Sequence, residues 1–145
     1  MFSPPVDRSL DSLHPFFRIP FEAWLRHAES IVQHVEFRVT ETGRTRERQA
    51  WLYAQGRPGQ YQNHPQVTWT MDSRHRWGLA ADIAMIRKST GQAIWEVSSY
   101  QWLYRVTDVD QFGIMHIGPR EWVHLEHRFS DAAIQNANAL KLTQT

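Results

Sequence analysis

The 145-residue chain contains no cysteine. Disulfides and thiolate metal sites are therefore excluded, and any metal must be held by His, Asp or Glu. Lysine is nearly absent, with two residues against 14 arginines. Arginine grips carboxylate and phosphate through a planar fork, which suits an anionic substrate or surface; a compositional bias of the genome would produce the same skew. Net charge is only +1, which argues against nucleic acid as a partner. No apolar run is long enough to cross a bilayer, so no stable membrane insertion is expected. The N-terminus lacks the basic and apolar regions of a signal peptide, so a target outside the cytoplasm would need another route of release. Internal repeats, low-complexity tracts and linkers are also missing. What is present is a hydrophobic fraction of 41% and an aromatic fraction of 12%, enough to fill one core. A single domain over 1–145 is expected.

Residues 1–19 read as an irregular lead-in. Pro20 suits a first helical turn, and Phe21, Trp24, Leu25, Ala28, Ile31, Val32 and Val35 follow at helical spacing, which predicts a helix over 21–35. His27 and His34 read as its surface residues. Alternation predicts a strand over 36–41. Thr45 caps a helix that runs to Gly56, and residues 57–72 form a long loop. Strands are expected over 78–86, 93–95, 114–117 and 121–127. A helix capped by Ser98 or Ser99 carries Trp102 to Val109, and another begins at Ser130 or Asp131. Elements mix without regular βαβ alternation, so the fold class is α+β, a small mainly antiparallel sheet with packed helices.

The chemistry concentrates in two stretches. Ser73-Arg-His75-Arg-Trp-Gly-Leu-Ala-Ala-Asp82 holds a histidine and an aspartate seven residues apart. On a strand, Ala80 and Ala84 flank Asp82 on one face and leave it cleared space, while Leu79, Ala81, Ile83 and Met85 point into the core. A carboxylate so placed suits a metal or substrate; a solvent-facing acid on an edge strand is the plainer alternative. Glu121-Trp-Val-His124-Leu-Glu126 is the second stretch. There Trp122, His124 and Glu126 share a face. His75, Asp82 and His124 would give three ligands with a fourth position open, the design of a catalytic zinc site. Glu126 is an alternative to Asp82 as ligand, and no His-Glu-x-x-His helix is present. Glu121 would point to the opposite face of a regular strand. It reaches the metal side only if the chain turns there, which Gly118-Pro119 just upstream allows.

At these residues the chain resembles a known family. Ser73-x-His75-x-x-Gly78-x-Ala80-x-Asp82 followed by Glu121-x-x-His124 is similar to the zinc D-alanyl-D-alanine carboxypeptidases, which include the L-alanyl-D-glutamate peptidases of phage endolysins. Gly43-Arg44-Thr45-x-x-x-Gln49 looks like an earlier segment of the same family, and the endolysin-type branch matches best. The resemblance spans about residues 36–127. It implies the D-Ala-D-Ala metallopeptidase (hedgehog-like) fold, Zn2+ on His75, Asp82 and His124, Glu121 as general base and acid, and Arg44 as the cation near the scissile carbonyl. Ser73, Gln49, Trp77 and Trp122 are expected to contact substrate, and Glu126 to support the metal ligands. Gly43 departs from the aromatic residue often found before the arginine. The substrate implied is a peptidoglycan stem peptide, cut by a monomer made in the host cytoplasm and released to the wall by a holin. A D-Ala-D-Ala carboxypeptidase or dipeptidase shares all of these motifs. A non-catalytic wall-binding module on the same fold would need neither Glu121 nor Arg44.

Overall fold

The computed structural model describes residues 3–71, 73–118 and 121–129. Among these residues an antiparallel sheet is built from β1 (Val35–Glu41), β2 (Ala80–Arg87), β3 (Ala93–Ile94), β4 (Ile114–His116) and β5 (His124–His127), in the order β1-β2-β5-β4 with β3 also on β2. Helices α1 (Pro15–Ile31), α2 (Arg46–Ala54) and α3 (Val97–Thr107) complete it. The class is α+β with a small antiparallel sheet, as the sequence predicts. The helix expected from Ser130 onward lies outside the described residues.

The central strand is β2. It pairs with β1 from Arg87 to Asp82, and its other edge is divided between β5 at residues 80–82 and β3 at residues 85–86. Both of its faces are covered, which explains the nearly continuous apolar run from Leu79 to Ile86. The open face expected beside Asp82 is therefore corrected: Ala80 and Ala84 are buried, and only the aspartate reaches out, its side chain 18% exposed. The small alanines let other chain segments close over this face.

Against the sheet, α1 and α3 bury Phe17, Phe21, Trp24, Tyr100 and Leu103 with Ile83, Met85, Ile114 and Leu125. The Trp24 indole N–H donates to Thr107 Oγ1 at 3.0 Å, and that hydroxyl donates to the Leu103 carbonyl. A buried tryptophan thus keeps its one polar atom satisfied. Truncating it to alanine would cost about 3–5 kcal/mol.

Several boundaries move. The first helix begins at Pro15, not at residue 21, with the His14 ring accepting the Phe16 amide. Pro15 takes the first helical position and Pro20 lies inside the helix. The third helix is preceded by Glu96, not by a serine cap, and stops at Thr107 because Asp108 turns left-handed. The last described strand starts at His124, not at residue 121. The lead-in is also more ordered than expected: Leu13 is buried, and the His14 amide bonds to the Gly78 carbonyl at 2.9 Å.

Candidate metal centre

His75 sits in a short 3₁₀ helix, Arg74–Trp77, that the sequence reading leaves as loop. The Ser73 hydroxyl caps this turn by accepting the His75 amide at 3.3 Å. Gly78 ends it in the left-handed region at φ 69°. A Cβ at Gly78 would stand 2.8 Å from the His14 amide nitrogen and 2.9 Å from the Ser12 carbonyl oxygen, so the lead-in can close over the turn only at glycine. The result is a fully buried imidazole whose Nδ1–H donates to the Thr42 carbonyl at 2.6 Å. That bond fixes the tautomer and leaves the Nε2 lone pair facing Asp82.

Asp82 and His124 are directly opposed partners in the β2–β5 ladder. Sheet register alone therefore sets one edge of the cluster. Asp82 Oδ1 lies 3.0 Å from His75 Nε2 and 3.3 Å from His124 Nδ1. His124 donates through its other nitrogen, Nε2, to Glu126 Oε1 at 2.9 Å. Glu126 therefore orients a ligand and fixes its tautomer, and Asp82 is the carboxylate of the cluster.

The three donor atoms lie within 4.8 Å of one another. A tetrahedral zinc ion with bonds of about 2.0 Å separates its ligand atoms by about 3.3 Å, which the two measured edges fit. With a metal bound, each ring would keep its outer proton toward Thr42 or Glu126 and turn a lone pair to the shared point. The donor set of two imidazoles and one carboxylate matches a catalytic metal site with a position left for water or substrate.

The electrostatics are those of a site prepared for a cation. Burial pushes the Asp82 carboxyl up, but His75 and His124 outweigh it and hold it well below the usual carboxylate range. Burial pushes His124 down, but Asp82 and Glu126 outweigh it and raise it to about 9.

Arg44 comes to the same place by way of a β-bulge. The β1–β2 register shifts between Val39 and Glu41, which brings Glu41 opposite Asp82. Glu41 Oε1 accepts from Arg44 Nη2 at 3.0 Å, and Oε2 accepts from Arg48 Nε at 3.1 Å. Burial raises the Glu41 carboxyl, and the two arginines outweigh it and hold it below its ordinary value. Arg44 Nη2 is also 3.5 Å from Asp82 Oδ2, and Nη1 donates to Gln49 Oε1 at 3.1 Å.

Gln49 is fully buried and its amide donates to Thr68 Oγ1 and to the Thr70 carbonyl. The expected substrate contact is thus corrected to a bracket that ties Arg44 to the loop before the histidine motif. Trp77 is corrected likewise. It packs against the core and lines neither of the clefts described next, because the 3₁₀ turn directs it inward.

Glu121 precedes β5 in a turn closed by the His124 amide bonding to the Glu121 carbonyl at 3.1 Å. This is the bend that the general-base role expected from the sequence would require. Two clefts meet at Glu121 and His124. One, of about 290 Å³, is lined by Thr68, Thr70, Ser73 and Arg74. The other, of about 450 Å³, is lined by Arg44, Asp82, Trp95 and Trp122, and Trp69 borders both. The turn is braced from behind: the Tyr104 hydroxyl donates to the Trp122 carbonyl, and His116 stacks between the Tyr104 and Trp122 rings, 4.9 Å from each. Glu41, Trp69, Trp95, Tyr104 and His116 were missed in the sequence. Only Glu41, three residues before Arg44, carried a local signal, the charge pairing of i and i+3.

The fold is that of the VanY-type D-Ala-D-Ala peptidases. Solved structures sharing it include the vancomycin-resistance D,D-pentapeptidase VanY from a VanB-type cassette in complex with Zn(II), at 17% identity and TM-score 0.56, covering 87% of this chain and 78% of that one. The LdcB LD-carboxypeptidase aligns at 16% identity and TM-score 0.59, over 99% of this chain and 74% of that one. VanYB in complex with D-alanine-D-alanine aligns at 16% identity and TM-score 0.58, over 99% and 87%. No protein-family model matches the chain, and no curated protein matches it.

Proposed function

We propose that this chain is a zinc-dependent peptidoglycan peptidase of the endolysin type, cleaving the L-alanyl-D-glutamate bond of stem peptides. The observation that carries the reading is the convergence of donor atoms from His75, Asp82 and His124, with His124 and Glu121 lining both of two adjoining clefts. Bound to these three atoms, zinc would polarise the scissile carbonyl and make water acidic enough to attack near neutral pH. Glu121 lines both clefts, so it can take the attacking water's proton on one side and deliver it to the leaving amine on the other. Arg44, held by Glu41 and Gln49, offers a fixed guanidinium where negative charge develops on the carbonyl oxygen.

Clefts on both sides of Glu121 support an endopeptidase, since chain must continue in each direction from the bond. The release route expected from the sequence, through a holin to the wall, belongs to the same proposal. A carboxypeptidase is the second reading, supported by the shared fold of LdcB, an LD-carboxypeptidase. Mass spectrometry of digested peptidoglycan separates the two. New free N-termini at D-glutamate are expected. Release of free D-alanine in their place overturns the endopeptidase assignment.

A further inference from the structure

The two clefts differ in chemistry, and the difference gives the substrate a direction. The smaller one is polar, lined by Thr68, Thr70, Ser73 and Arg74 together with the carboxylates Glu121 and Glu126. That hydrogen-bonding lining of mixed charge suits the peptide part of the substrate rather than a flat apolar face. The larger one is rimmed by tryptophans. Trp95 is 66% exposed and Trp69 46% exposed, a large apolar area to leave facing water beside a polar centre. Its charged lining residues are Arg44, Asp82 and Glu121, all at the inner end where the metal ligands lie; away from them stand Gln66, Val67 and Val97.

The occupant of that outer part must therefore be uncharged, offer flat apolar faces, and carry a few hydrogen-bonding groups at its edge. A pyranose ring has this combination: C–H faces that cover an indole, and hydroxyl or amide groups within reach of a glutamine. We infer that the Trp69–Trp95–Trp122 groove is a sugar platform that takes the glycan end of the substrate, on the amino side of the scissile bond. This rests on the L-alanyl-D-glutamate reading. In peptidoglycan the L-alanine is joined directly to the lactyl group of the muramic acid, so only that group and one alanine separate the sugar from that bond. It is remote from the D-Ala–D-Ala bond at the other end of the stem. The enzyme accordingly works on stem peptides still attached to their glycan. Sugar binding outside the reacting centre contributes to the rate by holding the peptide in register.

The test compares a disaccharide-linked stem peptide with the same peptide carrying only an N-acetyl group. The zinc-loaded protein is expected to prefer the disaccharide substrate in kcat/KM by about tenfold or more. Trp95→Ala should bring that ratio close to one, and Trp95→Phe should restore most of it. In parallel, the disaccharide alone is titrated into the Glu121→Gln protein, with tryptophan fluorescence as readout. A change that is lost in Trp95→Ala is expected. Cleavage of both substrates at equal rates, with no fluorescence response, overturns the sugar platform and leaves the peptidase reading standing. A Trp95-dependent response with neither substrate cut keeps the platform and sinks the peptidase reading. Equal loss on both substrates in Trp95→Ala refutes a role specific to the sugar.

Discussion

At the proposed zinc site, the metal and a proton would compete for one nitrogen. Without metal, His124 Nδ1 faces Asp82 Oδ1 at 3.3 Å while Nε2 is already engaged by Glu126. Both neighbours are carboxylates, so a proton on Nδ1 is held strongly, and the imidazolium persists up to about pH 9. Metal must displace that proton. The apparent zinc affinity should then rise about tenfold for each pH unit below 9, making it about 100-fold weaker at pH 7 than at pH 9. An ordinary histidine, titrating near 6.5, would give no slope above about pH 7. The assay is zinc competition against a chelator of known pH behaviour between about pH 7 and pH 8. A slope near one in log affinity against pH is expected; a plateau across that interval refutes the reasoning. The metal-free protein carries the same signature in its stability. His124 is raised above its usual 6.5, so its contribution is complete below about 6.5 and lost as pH rises through about 9. Asp82 is lowered, so its contribution is present above the ordinary carboxylate range and lost as pH falls toward its depressed value. The two shifts describe one coupled group and count once, for at most about 3 kcal/mol. Thermal unfolding in chelator should show Tm falling from about pH 7 to pH 9.

Three further outcomes follow from the geometry. Glu126→Gln should weaken zinc binding about 10–100-fold, measured by the same competition, because the orienting carboxylate behind His124 is gone. Glu121→Gln should bind zinc as tightly as the parent and lose about 10²–10⁴-fold in kcat; retained turnover would remove Glu121 from proton transfer. Gly78→Ala combines a left-handed backbone with a clash against His14. It should cost about 1–3 kcal/mol in chemical denaturation and lower metal occupancy, since the turn that seats His75 must shift.

The three residues of the candidate metal cluster were legible because their chemistry is local to their type. His75, Asp82 and His124 are recognisable by residue and spacing, and the strand that aligns Asp82 is written in the apolar run around it. The partners of those residues were not legible. Thr42 contributes a carbonyl, which leaves no side-chain signature, and Glu41 reaches Asp82 only through a bulge that alternation does not encode. Trp77 and Trp95 show the same limit from opposite sides. Both are tryptophans beside predicted elements, and only tertiary packing decides that the first turns inward and the second outward. Gln49 looks like a surface polar residue of a helix, and the hydrogen-bond demands of Thr70 and Arg44 draw it inside.

The direct pairing of Asp82 with His124 has a mechanical consequence. The β2–β5 contact is short, three residue pairs, and β5 in turn carries β4 through three more. A metal ion joining Asp82 to His124 would clamp this narrow seam across its backbone hydrogen bonds, while His75 ties the seam to the 3₁₀ turn beneath the lead-in. Occupancy would then be felt as a tightening of the β4–β5 half of the sheet, the half that carries Glu121. Chelation should loosen the amides of Leu125 and Glu126 well before those of β1, so the proposed ion would also hold in place the turn that bears Glu121.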